Sequence, residues 1–301
     1  MMNSFNSILA AAKQKGAKKV VVPFPNREDI DVLAKAVESG LIIPILIGRR
    51  KEVQALLDKT LPASLEHEIV DEQEQQHALI RAITYIREDR ADILMQGGIA
   101  HQVMMDAVLD KNTGFKNGRL ASYISLFQLK KQEKLILITD TFLNNYPIVL
   151  EKQLILENAL KVVHMMGLDE PKVAVIAAIE QVNPGIPSTL DAAILSKMSD
   201  RRQFGKAIVE GPLDMDCALS HVAAGRKGLK SVVTGNADIY LVPEIDTGYL
   251  LAESLVFFGK MQAVGVVMGT SKPVILNLPF VTPENRLVEI ALASLIAEQG
   301  G

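Results

Sequence analysis

The sequence predicts an α/β fold in which a mostly parallel sheet is flanked by helices. Three observations carry that prediction. Short apolar runs alternate with amphipathic segments along almost the whole chain. Most of the runs are continuous, as strands buried on both faces require. The segments between them place apolar residues at i, i+3, i+4 and i+7, the stripe of a helix with one buried face.

Taken in order, the strand-like runs are residues 20–24, 44–48, 67–70, 92–97, 134–140, 172–179, 207–211, 238–243, 263–269 and 273–278. Helical stripes pass through Ile30, Leu33, Ala34 and Val37, through Leu79, Ala82, Ile83 and Ile86, through Leu156, Ala159, Leu160 and Val163, and through Val288, Ala291, Leu292 and Leu295. Asn26, Asp71, Ser188 and Thr282 read as caps, since a short side chain that accepts a hydrogen bond satisfies an orphan N–H of the first turn. Asp29, Glu74 and Asp191 stand three residues beyond the first three, and Pro283 follows Thr282. Strands alternating with helices at this spacing mean parallel pairing. One exception is predicted. Runs 120–129 and 134–139 are joined only by residues 130–133, too few for a parallel crossover, so this pair is antiparallel.

Composition excludes several function classes. The chain of 301 residues carries 32 Lys+Arg against 35 Asp+Glu, a net charge of −3, which lacks the basic excess of a nucleic-acid binder. Only 5% of residues are aromatic and none is Trp, so a base-stacking platform is not expected. An apolar fraction of 49% excludes disorder. The single cysteine, Cys217, cannot form an intrachain disulfide, and it reads as a small core residue in a reducing, cytoplasmic protein. The first residues lack the apolar core of a secretory signal, and the longest apolar runs, such as residues 41–47, fall far short of the ~20 needed to cross a bilayer.

No phosphate-binding GxxxxGK[ST] loop, GxGxxG fingerprint, zinc-ligand spacing or GxSxG elbow is present, so no metal or dinucleotide cofactor is expected. Four strand-end loops could carry chemistry. Residues 182–189 include Asn183, Pro187, Ser188 and Thr189 and open a helix, whose N-terminal N–H groups and dipole suit an anion. Asp214 and Asp216 follow the next strand, where either could position a substrate or act as a base, the alternative being that Asp214 caps the helix through Ala218 and Val222. Asp246 offers the same choice after residues 238–243. Gly97 and Gly98 permit close backbone approach to a ligand, beside His101. Ligands of open α/β sheets bind at this carboxyl edge.

These stations, in this order, resemble the phosphate acetyl/butyryltransferase family. The matching segments are 91–97, 107–122, 137–147, 182–201, 211–220, 236–248 and 289–293, covering nearly the whole chain. The resemblance implies two α/β domains of the isocitrate/isopropylmalate dehydrogenase-like type. One would comprise residues 1–130 plus 275–301 and the other residues 131–274, with the active site in the cleft between them. It implies reversible transfer of a short butyryl or branched-chain acyl group between coenzyme A, a substrate rather than a cofactor, and inorganic phosphate. A homodimer or larger homo-oligomer is expected. Carried over residue by residue, the 183–189 loop lines the substrate anion site, Asn144 and Pro147 match a loop after the second hairpin strand, Lys116 keeps a basic position, and Asp246 with Gly248 opens a helix near the cleft.

The sequence departs from the family at positions that share a sign. A Ser-Arg pair expected after residues 273–277 reads Leu278-Pro279, and the acidic residue beyond it is Val281. Family cations stand as Gln96, Asp106 and Gly185, and an Asn as Tyr249. No catalytic residue is therefore assigned from sequence. Arg119, Arg201, Arg202, Lys272 and Arg286 are the candidate replacements for the missing cations, and the alternative reading is a family member that binds coenzyme A or an acidic metabolite without turnover.

Overall fold

A computed structural model describes residues 1–60, 66–116, 118–129 and 134–298. They form two compact units, a flanking unit of Phe5–Ala121 with Val264–Gly301 and a central unit of Ser122–Ala263 with Met1–Ser4. The flanking unit begins with α1 (Phe5–Lys13), β1 (Lys18–Pro23), α2 (Arg27–Glu38), β2 (Ile42–Gly48), α3 (Arg50–Leu57), β3 (Glu68–Asp71), α4 (Gln75–Arg87), β4 (Ile93–Met95) and α5 (His101–Val108). The central unit opens with β5 (Ser122–Gln128) and β6 (Leu135–Thr139). It continues through α6 (Val149–Met165), β7 (Lys172–Ile176), α7 (Pro187–Asp200), β8 (Ile208–Leu213), α8 (Met215–Leu219), α9 (His221–Arg226), β9 (Ile239–Leu241) and α10 (Ile245–Phe257). The chain returns to the flanking unit with β10 (Gln262–Met268), β11 (Val274–Ile275) and α11 (Arg286–Glu298).

In the flanking unit the strands lie in the order β3-β2-β1-β4-β11-β10, parallel except for the last pair. In the central unit the order is β5-β6-β9-β7-β8, with β5 and β6 antiparallel and the rest parallel. The mixed α/β class and the antiparallel β5–β6 pair follow the sequence reading. The turn of that hairpin, residues 130–133, lies outside the described residues. A second antiparallel pair, β10–β11 with Val267 opposite Val274, was not foreseen. The few residues between these strands leave no room for a crossover, the rule that had identified the first hairpin.

Continuous apolar runs end up as buried strands: Val20, Val21 and Val22 are fully buried in β1. α11 is buried on nearly every side from Val288 to Ile296, which is why its sequence is apolar around the whole helix. α1 packs against it.

Three of the four predicted caps are corrected. Asn26 caps α2 as expected, its side chain accepting from Asp29 N while Asp29 accepts from Asn26 N, a complete capping box. Asp71 instead ends β3 and accepts from Arg50 N at 2.9 Å, and α4 starts after Glu74. Ser188 lies inside α7, because Pro187 has the fixed φ suited to a first helical position and Ile186 becomes the N-cap. Thr282 belongs to a separate turn, closed by Asn285 N to Thr282 O at 2.9 Å; Asn285 O then takes the first helical N–H groups, and α11 begins at Arg286.

Candidate functional site

Strands β6, β7 and β9 of the central unit are parallel, so their carboxyl ends share one edge of the sheet. Three helices begin after those ends, α6, α7 and α10. Their first residues line one cavity of about 610 Å³: Pro147, Ile148 and Val149 from α6, Pro187, Ser188 and Asp191 from α7, and Pro243 and Glu244 from α10. That volume is within the ~300–1,000 Å³ usual for small-molecule sites. Tyr146 and Lys152 complete the lining.

Side-chain hydrogen bonds hold the loop before α7. Asn183 Oδ1 accepts from Gly185 N at 2.8 Å. The fully buried Thr189 hydroxyl accepts from Asn183 N at 2.9 Å, and its one proton is shared between Ile186 O at 2.8 Å and Asn183 O at 3.0 Å. Asn183 and Thr189 therefore shape the loop, and Pro187 and Ser188 face the cavity. Proline has no N–H, and Thr189 N turns back to Ile186 O. Among the described residues Ser188 N has no partner, in the first turn of a 14-residue helix that has no side-chain cap. An uncapped N–H with its helix dipole is an anion-binding group.

Lys152 was not singled out from sequence, because a lysine in an amphipathic helix reads as solvent-facing. It is 5% exposed and pairs with Asp191 Oδ2 at 2.6 Å. An ammonium has three donors, and this pair uses one. Glu244 caps α10, accepting from Asp246 N at 2.8 Å and Thr247 N at 2.9 Å. Burial works to raise its carboxyl, but the Thr247 and Asp246 hydrogen bonds and the Lys152 charge hold it below its ordinary value. Asp246 is not the cap and stands exposed in the first turn.

A second support lies beneath α10. Asp140 is buried, and its carboxylate accepts from Phe142 N at 2.8 Å, Leu143 N at 3.0 Å and the Asn144 side chain. Desolvation raises its pKa against those hydrogen bonds. Asn144 is accordingly part of this loop's framework. Gly248 packs on the same loop, where a Cβ would stand 2.5 Å from Asp140 O.

Other predicted residues lie outside this cavity. Asp214 caps α8, and with Asp216 and Glu180 it surrounds the Lys227 ammonium. Burial acts to raise Asp214, yet hydrogen bonds from Cys217 and Lys227 hold it far below the usual carboxylate range. Cys217 is a core residue, its thiol pushed up to about 12 by burial and by Asp214. Lys116 is exposed in the flanking unit, bridged to Thr270. His101 opens α5 and is exposed. Gly97 and Gly98 approach the chain itself rather than a ligand: a Cβ on Gly97 would meet Pro23 O at 2.2 Å, and Gly98 N donates to Phe24 O.

Comparison with known proteins places this arrangement. The profile of the family described as "Phosphate acetyl/butaryl transferase" matches residues 63–279. The chain belongs to that family. It is 38% identical to the phosphate butyryltransferase of Clostridium acetobutylicum, over 99% of both chains. It is 34% identical to that of Clostridium beijerinckii, again over 99% of both. Among solved structures it resembles a branched-chain phosphotransacylase from Enterococcus faecalis V583, with 26% identity, a TM-score of 0.80 and coverage of 92% of this chain and 99% of that one. Family membership makes the chain an acyltransferase.

The positions that the sequence reading sets apart from the family resemblance lie as follows. Leu278 is 3% exposed and Val281 7% exposed, both part of the apolar core. Gln96 is buried and bonded to the backbone of Ile99 and Asn277. Among the candidate replacement cations, Lys272 pairs with Asp89 at 3.1 Å.

Proposed function

We propose that this chain is a phosphate acyltransferase that moves a short acyl group, butyryl or branched-chain, reversibly between coenzyme A and inorganic phosphate. Relatives named for butyryl transfer match 99% of its length, and a structure named for branched-chain transfer matches 92%. The observation that carries the reading is the central-unit cavity, where Ser188 at the start of α7 and Lys152, paired with Asp191, line the wall beside Glu244. A phosphate oxygen attacks the thioester carbonyl carbon. The new C–O bond forms as the C–S bond breaks, and the proton given up by hydrogen phosphate ends on the coenzyme A sulfur. Holding both reactants in line supplies most of the rate, and donors aimed at the developing charge supply the rest. Coenzyme A enters as a substrate, the chain is cytoplasmic, and it works as a homodimer or larger homo-oligomer.

Purified protein should release coenzyme A thiol from butyryl-CoA or isobutyryl-CoA in phosphate buffer. Absence of release from either overturns the reading. A second reading is motivated by the burial of Leu278 and Val281 where the family pattern is polar: a binding protein without turnover. Thermal-shift stabilisation by coenzyme A with no thiol release would establish it.

A further inference from the structure

A second cavity of the central unit lies at the opposite end of its sheet. β6 and β9 are parallel, and the residues just before them, Lys134 and Asp238, both belong to its lining. Its volume is about 280 Å³. Leu126, Leu135, Leu137, Val163, Met166 and Leu168 line it from β5, β6 and the end of α6, and Met1 and Met2 complete the apolar wall. Protein interiors leave few voids larger than a water molecule, so a space of this size among aliphatic side chains calls for an occupant. The polar groups of the wall say what that occupant is not. Lys134 has three donors, and it spends them on Asn236 O at 3.1 Å, Ala237 O at 2.9 Å and Asp238 Oδ1 at 3.0 Å. Asp238 Oδ2 accepts from Lys172 N at 2.9 Å, and Met2 N donates to Met166 O at 2.7 Å.

The one ion pair of the lining is thus closed on itself, and its lysine has no donor left for a carboxylate or a phosphate. A charge brought in would give up its hydration without gaining a partner. Asn3 is the remaining polar side chain, half-buried, with an amide that both donates and accepts. Water is poorly served as well, since a buried water takes about two to four polar partners. Size sets the other bound. An engineered aliphatic cavity of about 150 Å³ takes benzene, so this one has room for roughly ten non-hydrogen atoms. Methionine side chains are flexible and polarisable, and they adapt to the shape they enclose. We propose that this cavity binds an uncharged apolar molecule of roughly ten non-hydrogen atoms, an aliphatic chain or a pair of fused rings, with at most one hydroxyl or N–H directed to Asn3. Such binding is separate from the cavity at the carboxyl edge and independent of the acyltransferase reading.

The test uses the full chain with ¹³C at its methionine methyls, titrated with octanol, with indole and, as the charged control, with octanoate. The Met2 and Met166 signals, assigned through Met2→Leu and Met166→Leu, should shift saturably with octanol or indole. Octanoate should bind at least about tenfold more weakly, because its carboxylate finds no donor. Leu168→Trp, at a half-buried position, fills the space and should abolish the shifts. Val163→Phe fills it from α6 and serves if Leu168→Trp does not fold. Wild-type signals that stay fixed up to the solubility limit of octanol and indole would overturn the proposal. Folded, filled variants that keep wild-type affinity would overturn it too, as would octanoate binding as tightly as octanol. If the Met166 signal instead moves on dilution of ligand-free protein while the molar mass falls, a second copy of the chain fills the cavity and the small-molecule site is refuted.

Discussion

Thr189 shows how a single side chain can fix a site without touching a ligand. Its hydroxyl joins Asn183 N, Asn183 O and Ile186 O, and it is fully buried. Thr189→Val keeps the shape and removes the hydroxyl, stranding Asn183 N. We expect a loss of about 1–3 kcal/mol in urea unfolding and a raised KM for phosphate, with Thr189→Ser restoring most of both. Asn183, Pro187, Ser188 and Thr189 were legible in the sequence as a strand-end loop opening a helix, although which of them frame the loop and which face the cavity was not. Lys152 was illegible for a physical reason. Burial of a lysine depends on the partner it finds, and Asp191 is 39 residues away in sequence, on a different helix.

The helices also show where local signals suffice. Asn26 and Asp29 form a capping box within four residues, so α2 announces its own start. Ser188 and Thr282 failed as caps because each lies beside a proline that shifts the helix start in one direction or the other. β10 and β11 were read as strands, and the length of their connection held the evidence for antiparallel pairing. Gly248 is the element-scale counterpart of Thr189. The first turn of α10 lies against residues 140–141, and a Cβ there would stand 2.5 Å from Asp140 O and 3.1 Å from Thr141 Cα. Neither neighbour is a flexible side-chain end, so backbone must move. Gly248→Ala should destabilise by about 1–3 kcal/mol, as overpacking does. It should also lower activity, because Glu244 at the same helix start lines the cavity. Unfolding midpoints and kcat/KM measured together check this, and unchanged values in both would show that α10 can shift freely.

At the scale of the whole molecule, the net charge of −3 says little about the site, because position decides which charges act. Lys227 is enclosed by three carboxylates, and Lys134, Lys152 and Lys272 each have an acidic partner. Stability against pH is a property of the same placement. Glu244 and Asp214 have lowered pKa values, so their contributions are present above the ordinary carboxylate range and lost as pH falls through their folded-state values. Glu289 works in the opposite sense. Burial pushes its carboxyl from 4.5 to about 7, against the Arg286 charge and the Gly265 N–H. The folded state therefore holds this proton more tightly than the unfolded chain does. Its contribution is complete below about pH 4.5 and disappears as pH rises to about 7, on the order of 3 kcal/mol in all. Glu289→Gln keeps an acceptor for Gly265 N and cannot ionise. The variant should match wild type near pH 4.5 and exceed it in unfolding free energy at pH 8. The difference between the two proteins isolates this one group, since every other carboxylate titrates in both. Equal stability at pH 8 would mean that Arg286 neutralises Glu289 outright, and the raised pKa would then be wrong.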